Sequence, residues 1–218
     1  MTPRTAGIVA LVGAVGWIGL ISLGARMFQT QPPTAAFDLE LLLRAGRDVA
    51  EGRSPYDPAI VAGTAPVAER LFYSYPPVVA QVLSLVAGIP SAAMFVIWVA
   101  AAVAGWAAVA GALAKRVAPA LSGITVALVA VAVTPLVFPF AIGLLFGNLD
   151  VFFPALHGLL LLSVLPRASV GQAAVGGVST AVASIAKLHP ASLGLWLLVR
   201  SAGDRPARRA LTAAIVAG

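Results

Sequence analysis

The stretch GIVALVGAVGWIGLISLGA (residues 7–25) consists of apolar and small residues and carries no charged side chain. A helix needs about 20 such residues to cross the hydrocarbon core of a bilayer. The apolar part, residues 6–25, is longer than the roughly 7–15 residues of a secretory signal core, and no small-x-small cleavage site follows it cleanly. We therefore predict that this stretch is an uncleaved signal anchor and the first transmembrane helix.

The same apolar pattern recurs along the chain and predicts an all-α fold. Of its 218 residues, 60% are hydrophobic and 10% are charged, whereas a soluble domain carries about 25% charged residues. Further apolar runs lie at about 76–89, 91–114, 120–145, 149–165, 168–186 and 188–199, and another begins near residue 207. We predict a single membrane domain over 1–218, a polytopic transmembrane helical bundle in which 76–218 supplies the helices after the first loop. The last run is shorter than a span, so we expect a chain truncated at its C-terminus.

Two prolines interrupt one of the apolar runs. Pro135 and Pro139, in TPLVFPF (134–140), should break the helix predicted over 120–145 because proline lacks a backbone donor. A break at membrane depth is tolerated only where it faces protein or a water-lined cavity.

Charge and composition exclude several classes of function. The net charge of +6 comes from Lys and Arg at the ends of apolar runs, as topology signals do, so we expect no nucleic-acid partner. No cysteine is present, which excludes disulfides and thiolate metal sites. The two histidines, His157 and His189, lack metal-ligand spacing. We expect neither a metal nor another cofactor.

Positive charges predict the topology, because Lys and Arg in short loops favour the cytoplasmic side. The cations expected there are Arg4, Lys115, Arg116, Arg167, Arg200, Arg205, Arg208 and Arg209. With Arg4 in the cytoplasm, residues 26–75 form an extracytoplasmic loop. If 76–89 and 91–114 both span fully, the cations at 115 and 116 fall outside, against the rule. Either 76–89 is a partial or re-entrant crossing, or it forms a full hairpin with tolerated outer cations; the sequence leaves both open.

The loop contains FDLELLLRAGRDVAEGRSPYDP (37–58), which holds five of the eight acidic residues. At about 100° per residue, 38–51 forms an amphipathic helix. Its apolar side carries Leu39, Leu42, Leu43, Ala45, Gly46 and Val49, and its polar side carries Glu40, Arg44, Arg47, Asp48 and Glu51. We predict an interfacial helix lying along the membrane surface, with i,i+4 pairs Glu40–Arg44, Arg44–Asp48 and Arg47–Glu51 on its solvated side.

Asp38 differs from the other acids because it falls on the apolar side of this helix. A carboxylate there is costly unless it is paired, caps the helix or takes part in function. Asp is a favoured N-cap, but Leu41 stands where a capping-box partner would be Glu or Gln. From these residues alone, capping and catalysis are both open.

An aromatic and proline cluster lies where the chain re-enters the bilayer, in RLFYSYPP (70–77). Tyr73 and Tyr75, like Tyr56 in the preceding loop, fit either an interfacial aromatic belt or the lining of a site. Pro76 suits the beginning of a helix, where proline needs no partner for its missing N–H.

The order of these motifs resembles a known family. An outer-loop Asp is followed by AGRDVAEGRSPYD (45–57), FYSYPP (72–77), FGNLD (146–150) and KLHP (187–190). Over about residues 30 to 200 the chain is similar to family-87 glycosyltransferases of the GT-C fold. Those enzymes are polyprenyl-phosphate-mannose-dependent mannosyltransferases, common in actinobacterial cell-envelope assembly. Members are typically longer, which agrees with the expected truncation.

The resemblance implies a function and a set of site residues. Asp38 would be the general base that takes the proton of the acceptor hydroxyl. Lys187 and His189 would bind the donor phosphate, although a snorkelling lysine and a structural histidine before Pro190 are the alternatives. The expected substrate groove comprises Tyr56, Tyr73, Tyr75, Pro76, Asn148 and Asp150, and Asp150 either holds the acceptor or pairs with Lys187. No Gly-rich phosphate loop and no Asp-x-Asp is present, in keeping with a lipid-linked donor and metal-independent transfer.

The implied reaction moves a hexose, by analogy mannose, from a polyprenyl-phosphate donor to a cell-envelope glycolipid or glycan acceptor. The enzyme would be a multi-pass plasma-membrane protein, in contact with the bilayer, with its active site on the extracytoplasmic side. A transporter or flippase-like bundle is the alternative, but the hydropathy has no inverted repeat and the acids concentrate in one loop. An inactive fragment of the transferase is a further alternative.

Overall fold

The computed structural model describes residues 2–31, 33–64, 72–187 and 189–218, and in these ranges it contains helices and no strand. The helices are α1 (Pro3–Phe28), α2 (Phe37–Ala50), α3 (Pro58–Val61), α4 (Pro77–Ser84), α5 (Ser91–Val117), α6 (Gly123–Val133), α7 (Phe138–Phe146), α8 (Phe153–Val164), α9 (Val170–Ala186), α10 (Ser192–Ser201) and α11 (Arg205–Ala217). Short 3₁₀ turns cover Thr134–Leu136, Leu149–Phe152 and His189–Ala191. The predicted all-α fold is confirmed.

Among the described residues, two helices are long and apolar enough to cross a membrane. α1 has 26 residues and α5 has 27, and at about 1.5 Å per residue each exceeds the roughly 30 Å hydrocarbon core. The bent pair formed by residues 123–136 and 138–146 passes the same test if it is taken as one span. The apolar runs predicted at 6–25 and 91–114 are therefore confirmed as candidate spans, and the chain is a helical membrane protein.

The predicted proline break is confirmed between α6 and α7. The two segments meet at an angle of 76° around the turn Thr134–Leu136. Gly16 of α1 lies so close to Pro135 that a β-carbon there would be 2.9 Å from the proline ring. Trp17 donates from Nε1 to the carbonyl of Val131 at 2.9 Å. On the side of Thr134 and Pro135 the break therefore packs against protein, whereas Leu136, Val137 and Phe138 are exposed.

Helix contacts define the two ends of the bundle. Arg116, at the end of α5, donates to the carbonyl of Pro166 after α8 at 2.8 Å. Ser91, the first residue of α5, donates to the carboxylate of Glu40 in α2 at 2.8 Å. We call these the Arg116 end and the Asp38 end, after the residues they contain.

α1 runs parallel to the α6–α7 pair, so the same end of the bundle holds its N-terminus and Arg116. Gly13 contacts Ala132, and Gly24 contacts Leu145 further along both segments. α1 therefore ends, and α5 begins, at the Asp38 end. α4 has eight residues, about 12 Å of helix at 1.5 Å per residue, so the segment between α1 and α5 makes no net crossing. This agrees with the partial crossing at 76–89 and not with the full hairpin.

Small residues allow α9 to pack closely on two neighbours. Gly176 lies against Ser163 of α8, and Gly177 lies against the backbone of Ala210 in α11. Close approach through small residues is the expected mode of packing where apolar contact has no advantage over lipid. α9 ends at Ala186, and its C-cap Lys187 lies at the Asp38 end, near the loop before α8.

α2 packs on α4 and carries the main buried cluster. Leu39, Leu42 and Leu43 are fully buried, together with Ala45 and Gly46. The predicted helix 38–51 and its buried side are confirmed, with the helix shifted by one residue.

The predicted i,i+4 ion pairs of α2 are wrong. Arg47 instead reaches Glu40 two turns back, and Arg53 binds both Asp48 and Glu51. Gly52, at φ 74°, turns the chain so that the Arg53 N–H donates to the Asp48 carbonyl at 2.7 Å. The turn after the helix therefore decides the pairing of Asp48 and Glu51, whereas the Arg47–Glu40 pair lies within the helix, two turns apart.

Candidate active site

Asp38 lies in the first turn of α2 with its carboxylate half-buried. The N-cap position belongs to Ala36, which adopts a left-handed conformation at φ 56° and has no side-chain cap hydrogen bond. The structure therefore excludes the N-cap alternative for Asp38, because the helix begins at Phe37. The side chain instead accepts a hydrogen bond from Nδ2 of Asn148 at 2.8 Å, across 110 residues of sequence.

Asn148 is held in one orientation by two hydrogen bonds. Its Oδ1 accepts from the backbone N–H of Asp150 at 2.8 Å and so caps the turn Leu149–Phe152. With Oδ1 occupied, the amide nitrogen points to Asp38. The backbone carbonyl of Asn148 also accepts from Nε1 of Trp98 at 3.4 Å. The contact with Asp38 is therefore part of a fixed loop between α7 and α8.

Gly147 brings this loop directly onto α2. It ends α7 in a left-handed conformation at φ 68°, and a β-carbon there would lie 2.5 Å from Cβ of Leu39. The Ala36 N–H donates to the Leu145 carbonyl at 2.8 Å. Phe37 packs its ring on that of Phe146, with centroids 4.7 Å apart. These contacts set the distance between Asp38 and the loop that carries Asn148.

Lys187 and Asp150 form an ion pair beside Asp38. Nζ of Lys187 lies 2.7 Å from Oδ1 of Asp150, and their side chains are 26% and 47% exposed. The same ammonium lies 5.4 Å from the centre of the Tyr75 ring, within cation–π range. The pairing alternative for Asp150 is thus observed, and both side chains face solvent in part, where a ligand can reach them.

Burial and neighbouring charges alter the ionisation of this cluster. Burial raises the pKa of Asp38 above its ordinary value, while the Asn148 hydrogen bond and the charge of Lys187 oppose that rise and Asp150 adds to it. Burial also raises the pKa of Tyr75 to about 12, and the charges of Asp38 and Asp150 contribute. Asp38 is accordingly a stronger proton acceptor than a solvated carboxylate, and Tyr75 stays neutral.

The remaining tyrosines shape the segment that presents Tyr75. Tyr56 donates its hydroxyl to the Tyr75 carbonyl at 2.9 Å, and Tyr73 donates to the Pro76 carbonyl at 2.8 Å. The ring of Tyr73 lies between those of Tyr56 and Tyr75, at centroid distances of 5.5 and 5.8 Å. Burial raises the pKa of Tyr73 as well. Their hydroxyls hold the backbone, so only Tyr75 of the three contacts the charged cluster.

His189 contacts different groups from Lys187, the other predicted phosphate ligand. Its ring packs edge-on against Phe153 at 5.3 Å, and Phe153 stacks on His157 at 5.8 Å. The side chain of His189 is exposed. Leu188, which joins it to Lys187, falls outside the described residues. In the described part of the chain His189 makes no polar side-chain contact with Asp38, Asp150 or Lys187.

Sequence reasoning missed the burial of His157 and the surroundings of Arg44. Nε2 of His157 is buried and has no hydrogen-bond partner among the described residues. Asp150, Phe153 and His157 follow one another at helical spacing, and this spacing could have indicated from the sequence that they lie on the same side of the chain. The sequence pattern places Arg44 on a solvated face, yet it borders a cavity of about 390 Å³ between α2 and the segment 54–60.

The geometry is that of a membrane protein with a half-buried carboxylate, an adjacent lysine and an aromatic platform at one end of its helical bundle. The family model of glycosyltransferase family 87 matches residues 72–218, more than half of the chain. The chain belongs to this family and is a membrane glycosyltransferase. The matched part includes Tyr75, Asn148, Asp150 and Lys187, whereas Asp38 precedes it. No significant match was found among curated proteins or among solved structures.

Proposed function

We propose that this glycosyltransferase moves a hexose, by analogy mannose, from a polyprenyl-phosphate donor to a hydroxyl of a cell-envelope glycolipid or glycan, with Asp38 as general base. The observation that supports this most is the contact between Asp38 and Asn148 beside the Lys187–Asp150 pair. At this site the Asp38 carboxylate has a raised pKa, and the cation Lys187 lies close enough to affect that pKa. Proton removal and phosphate stabilisation are the two demands of the reaction.

In the proposed step, Asp38 takes the proton of the acceptor hydroxyl as that oxygen forms a bond to C1 of the sugar. The bond from C1 to the phosphate oxygen breaks, and its electron pair leaves with the polyprenyl phosphate. Asn148 holds the carboxylate in place through Nδ2. The proton on Asp38 is released to solvent after the glycoside leaves.

Lys187 is the proposed ligand of the departing phosphate. A lysine ammonium is a compact phosphate-binding charge, and its carboxylate partner Asp150 is 47% exposed. Phosphate binding would move the Lys187 ammonium from Asp150 towards the donor. The ammonium would keep its contact with the Tyr75 ring. The exposed imidazole of His189 is the proposed second donor of hydrogen bonds to the phosphate.

An apolar groove supports a lipid-linked donor. A cavity of about 480 Å³ lies between α1, α5 and α7, and it is lined by residues such as Leu20, Phe28, Phe95 and Leu144. Leu144 also packs in the buried cluster that contains Leu39, next to Asp38 in sequence. A branched polyprenyl chain, entirely apolar, suits this lining.

The distribution of cations supports an extracytoplasmic active site. Arg116 lies at one end of the bundle and Asp38 at the other, and Arg4 belongs to the Arg116 end through the parallel packing of α1 on α6. If the positive-inside rule orients the chain, the Arg116 end faces the cytoplasm. Asp38 then faces the outer surface of the plasma membrane.

No observation favours the transporter alternative. The charged residues of α1 and α5 are Arg4, Arg26, Lys115 and Arg116, and all lie close to helix ends. Ion or substrate pathways place charges in mid-span.

The test is transfer from a polyprenyl-phosphate mannose donor by membranes that carry the protein. Asp38→Asn is expected to abolish transfer and to leave the amount of inserted protein unchanged. Glu51→Gln is the matched control, because Glu51 is an exposed carboxylate at the C-cap of the same helix and pairs only with Arg53 among the described residues. Near-normal transfer by Asp38→Asn would overturn the assignment of the base, and no transfer by the unmodified protein would favour the inactive fragment.

A further inference from the structure

A second polar cavity lies along α2, separate from the Lys187–Asp150 pair. It has a volume of about 390 Å³ and lies between one side of α2 and the segment 54–60. Arg44, Asp48 and Asp57 supply its charged groups, and Tyr56 and Tyr73 supply its aromatic ones. None of these five side chains has a part in the transfer step proposed above.

The cavity begins one helical turn from Asp38. Leu41, Ala45 and Asp48 all line it, and they follow Asp38 at spacings of three, seven and ten residues, a single ridge on the helix surface. At 1.5 Å per residue the ridge extends about 15 Å from Asp38 to Asp48. A molecule bound in the cavity can therefore present one end to Asp38.

Several polar groups in the cavity are available to a ligand. In the described part of the chain, the Arg44 guanidinium makes no hydrogen bond or ion pair. Asp48 uses Oδ1 for Arg53, and Asp57 uses Oδ1 for the N–H of Ala59. The Oδ2 atoms of both aspartates have no such contact among the described residues. Charged donors and acceptors of this kind form short hydrogen bonds to neutral hydroxyls.

The two tyrosines offer ring carbons and not hydroxyls. The hydroxyl of Tyr56 is bound to the Tyr75 carbonyl, and that of Tyr73 is bound to the Pro76 carbonyl. An aromatic surface beside fixed hydrogen-bonding groups suits a ligand with one apolar and one polar aspect. A pyranose ring has this character, because its C–H groups and its hydroxyls point in different directions.

The balance of charge argues against the donor phosphate as occupant. One arginine and two aspartates line the cavity, and Arg53 neutralises Asp48, so the cavity has no excess of positive charge that would favour an anion. A neutral polyol meets matched donors and acceptors instead.

We infer that this cavity binds a sugar ring of the proposed glycolipid or glycan acceptor, one helical turn from Asp38. The inference rests on the proposed function, since it takes Asp38 as the site of attack. The sugar in the cavity precedes or carries the hydroxyl that reacts.

The absence of cysteine from the sequence allows a direct test. Ile60 lines the cavity, and the adjacent Val61 does not and is 73% exposed. Ile60→Cys and Val61→Cys, each in the otherwise unmodified chain in nanodiscs, are treated with a charged methanethiosulfonate reagent. Mannobiose, maltose, methyl mannoside and methyl galactoside serve as the probes.

We expect at least one of these sugars to slow modification of Ile60→Cys several-fold and to leave the rate at Val61→Cys unchanged. Arg44→Gln and Asp57→Asn, added to Ile60→Cys, should remove that protection, and Asn at 57 can still cap α3. Equal rates with and without every sugar, or protection that survives both substitutions, would overturn the inference. Asp38→Asn separates the two proposals, because it should abolish transfer and leave the sugar protection of Ile60→Cys unchanged. Transfer that persists in Asp38→Asn would contradict the proposed base and would leave the proposed sugar site unaffected.

Discussion

Gly147 packs directly on Leu39, so that a β-carbon at position 147 would lie 2.5 Å from the Leu39 β-carbon. Leu39 follows Asp38, and Gly147 precedes Asn148. The contact between Gly147 and Leu39 therefore fixes how closely the side chains of Asp38 and Asn148 approach each other. It also requires a residue without a β-carbon and with φ of 68°.

Gly147→Ala is expected to displace α2 and to lower transfer at least tenfold. The substitution meets the backbone cost of the left-handed conformation, about 1–2 kcal/mol, and the steric contact with Leu39. Gly52→Ala is the matched control, because Gly52 has φ of 74° but a β-carbon added to it would have no neighbour within 4 Å. Transfer rates and unfolding temperatures of both variants check this. Equal losses in the two variants would show that the contact with Leu39 is unimportant.

Much of the helical architecture could be predicted from the sequence, because it depends on local features. The apolar length of α1, the breaks at Pro135 and Pro139, and the buried side of α2 all follow from spacing and from proline geometry. The fully buried Leu42 confirms the predicted apolar side.

The geometry of the site could be predicted only in part. The position of Asp38 on the inner side of α2 follows from helical spacing, but its partner Asn148 is 110 residues away and depends on the close contact at Gly147. Helix spacing alone could not exclude the N-cap alternative for Asp38, for a related reason. Ala36 takes the cap position because its N–H is fixed by the Leu145 carbonyl, a tertiary contact that helix propensities do not contain.

Asn148 should control the ionisation of Asp38. Its hydrogen bond lowers the pKa of Asp38 against the effect of burial, so Asn148→Ala is expected to raise that pKa and move the acid limb of kcat/KM to higher pH. Asn148→Asp keeps an oxygen that can cap Asp150 but adds a negative charge, and it should move the limb further in the same direction. The measurement is the pH dependence of transfer. An unchanged acid limb in both variants would separate Asn148 from proton transfer.

Asp38 should reduce the stability of the protein at neutral pH. Its pKa in the folded protein lies above its ordinary value of 3.8, so between those two values the folded state binds more protons than the unfolded state. Stability therefore falls as the pH rises through that window, and above it the penalty is fully present. Asp38→Asn is expected to leave Tm at pH 7 unchanged or higher, although transfer is lost.

Glu40→Gln provides the opposite control for this stability prediction. Glu40 binds Arg47 and accepts from Ser91 of α5, so its charge joins α2 to the bundle. Its substitution should lower Tm. A clear decrease of Tm in Asp38→Asn would contradict this prediction, because it would mean that the half-buried Asp38 carboxylate stabilises the fold.

Tyr75 should act through its ring and not through its hydroxyl. Because its pKa is raised to about 12, the phenol does not ionise near neutral pH. Tyr75→Phe keeps the surface that faces Lys187 and is expected to retain most of the activity. Tyr75→Leu removes the cation–π contact, worth about 0.5–1 kcal/mol at an exposed site, and should raise the KM for the donor a few-fold. A larger loss in Tyr75→Phe than in Tyr75→Leu would assign the hydroxyl a role that this geometry does not give it.

The orientation of the bundle can be measured with single cysteines, since the chain has none of its own. Val61 and Val117 are 73% and 70% exposed and lie towards the Asp38 end and the Arg116 end. If the Arg116 end faces the cytoplasm, a membrane-impermeant maleimide should label Val61→Cys in intact cells and should label Val117→Cys only after the membrane is opened. A thiol reagent that crosses the membrane should label both and so controls for reactivity. Labelling of Val117→Cys alone in intact cells would reverse the orientation and place Asp38, with its proposed lipid-linked donor, on the cytoplasmic side.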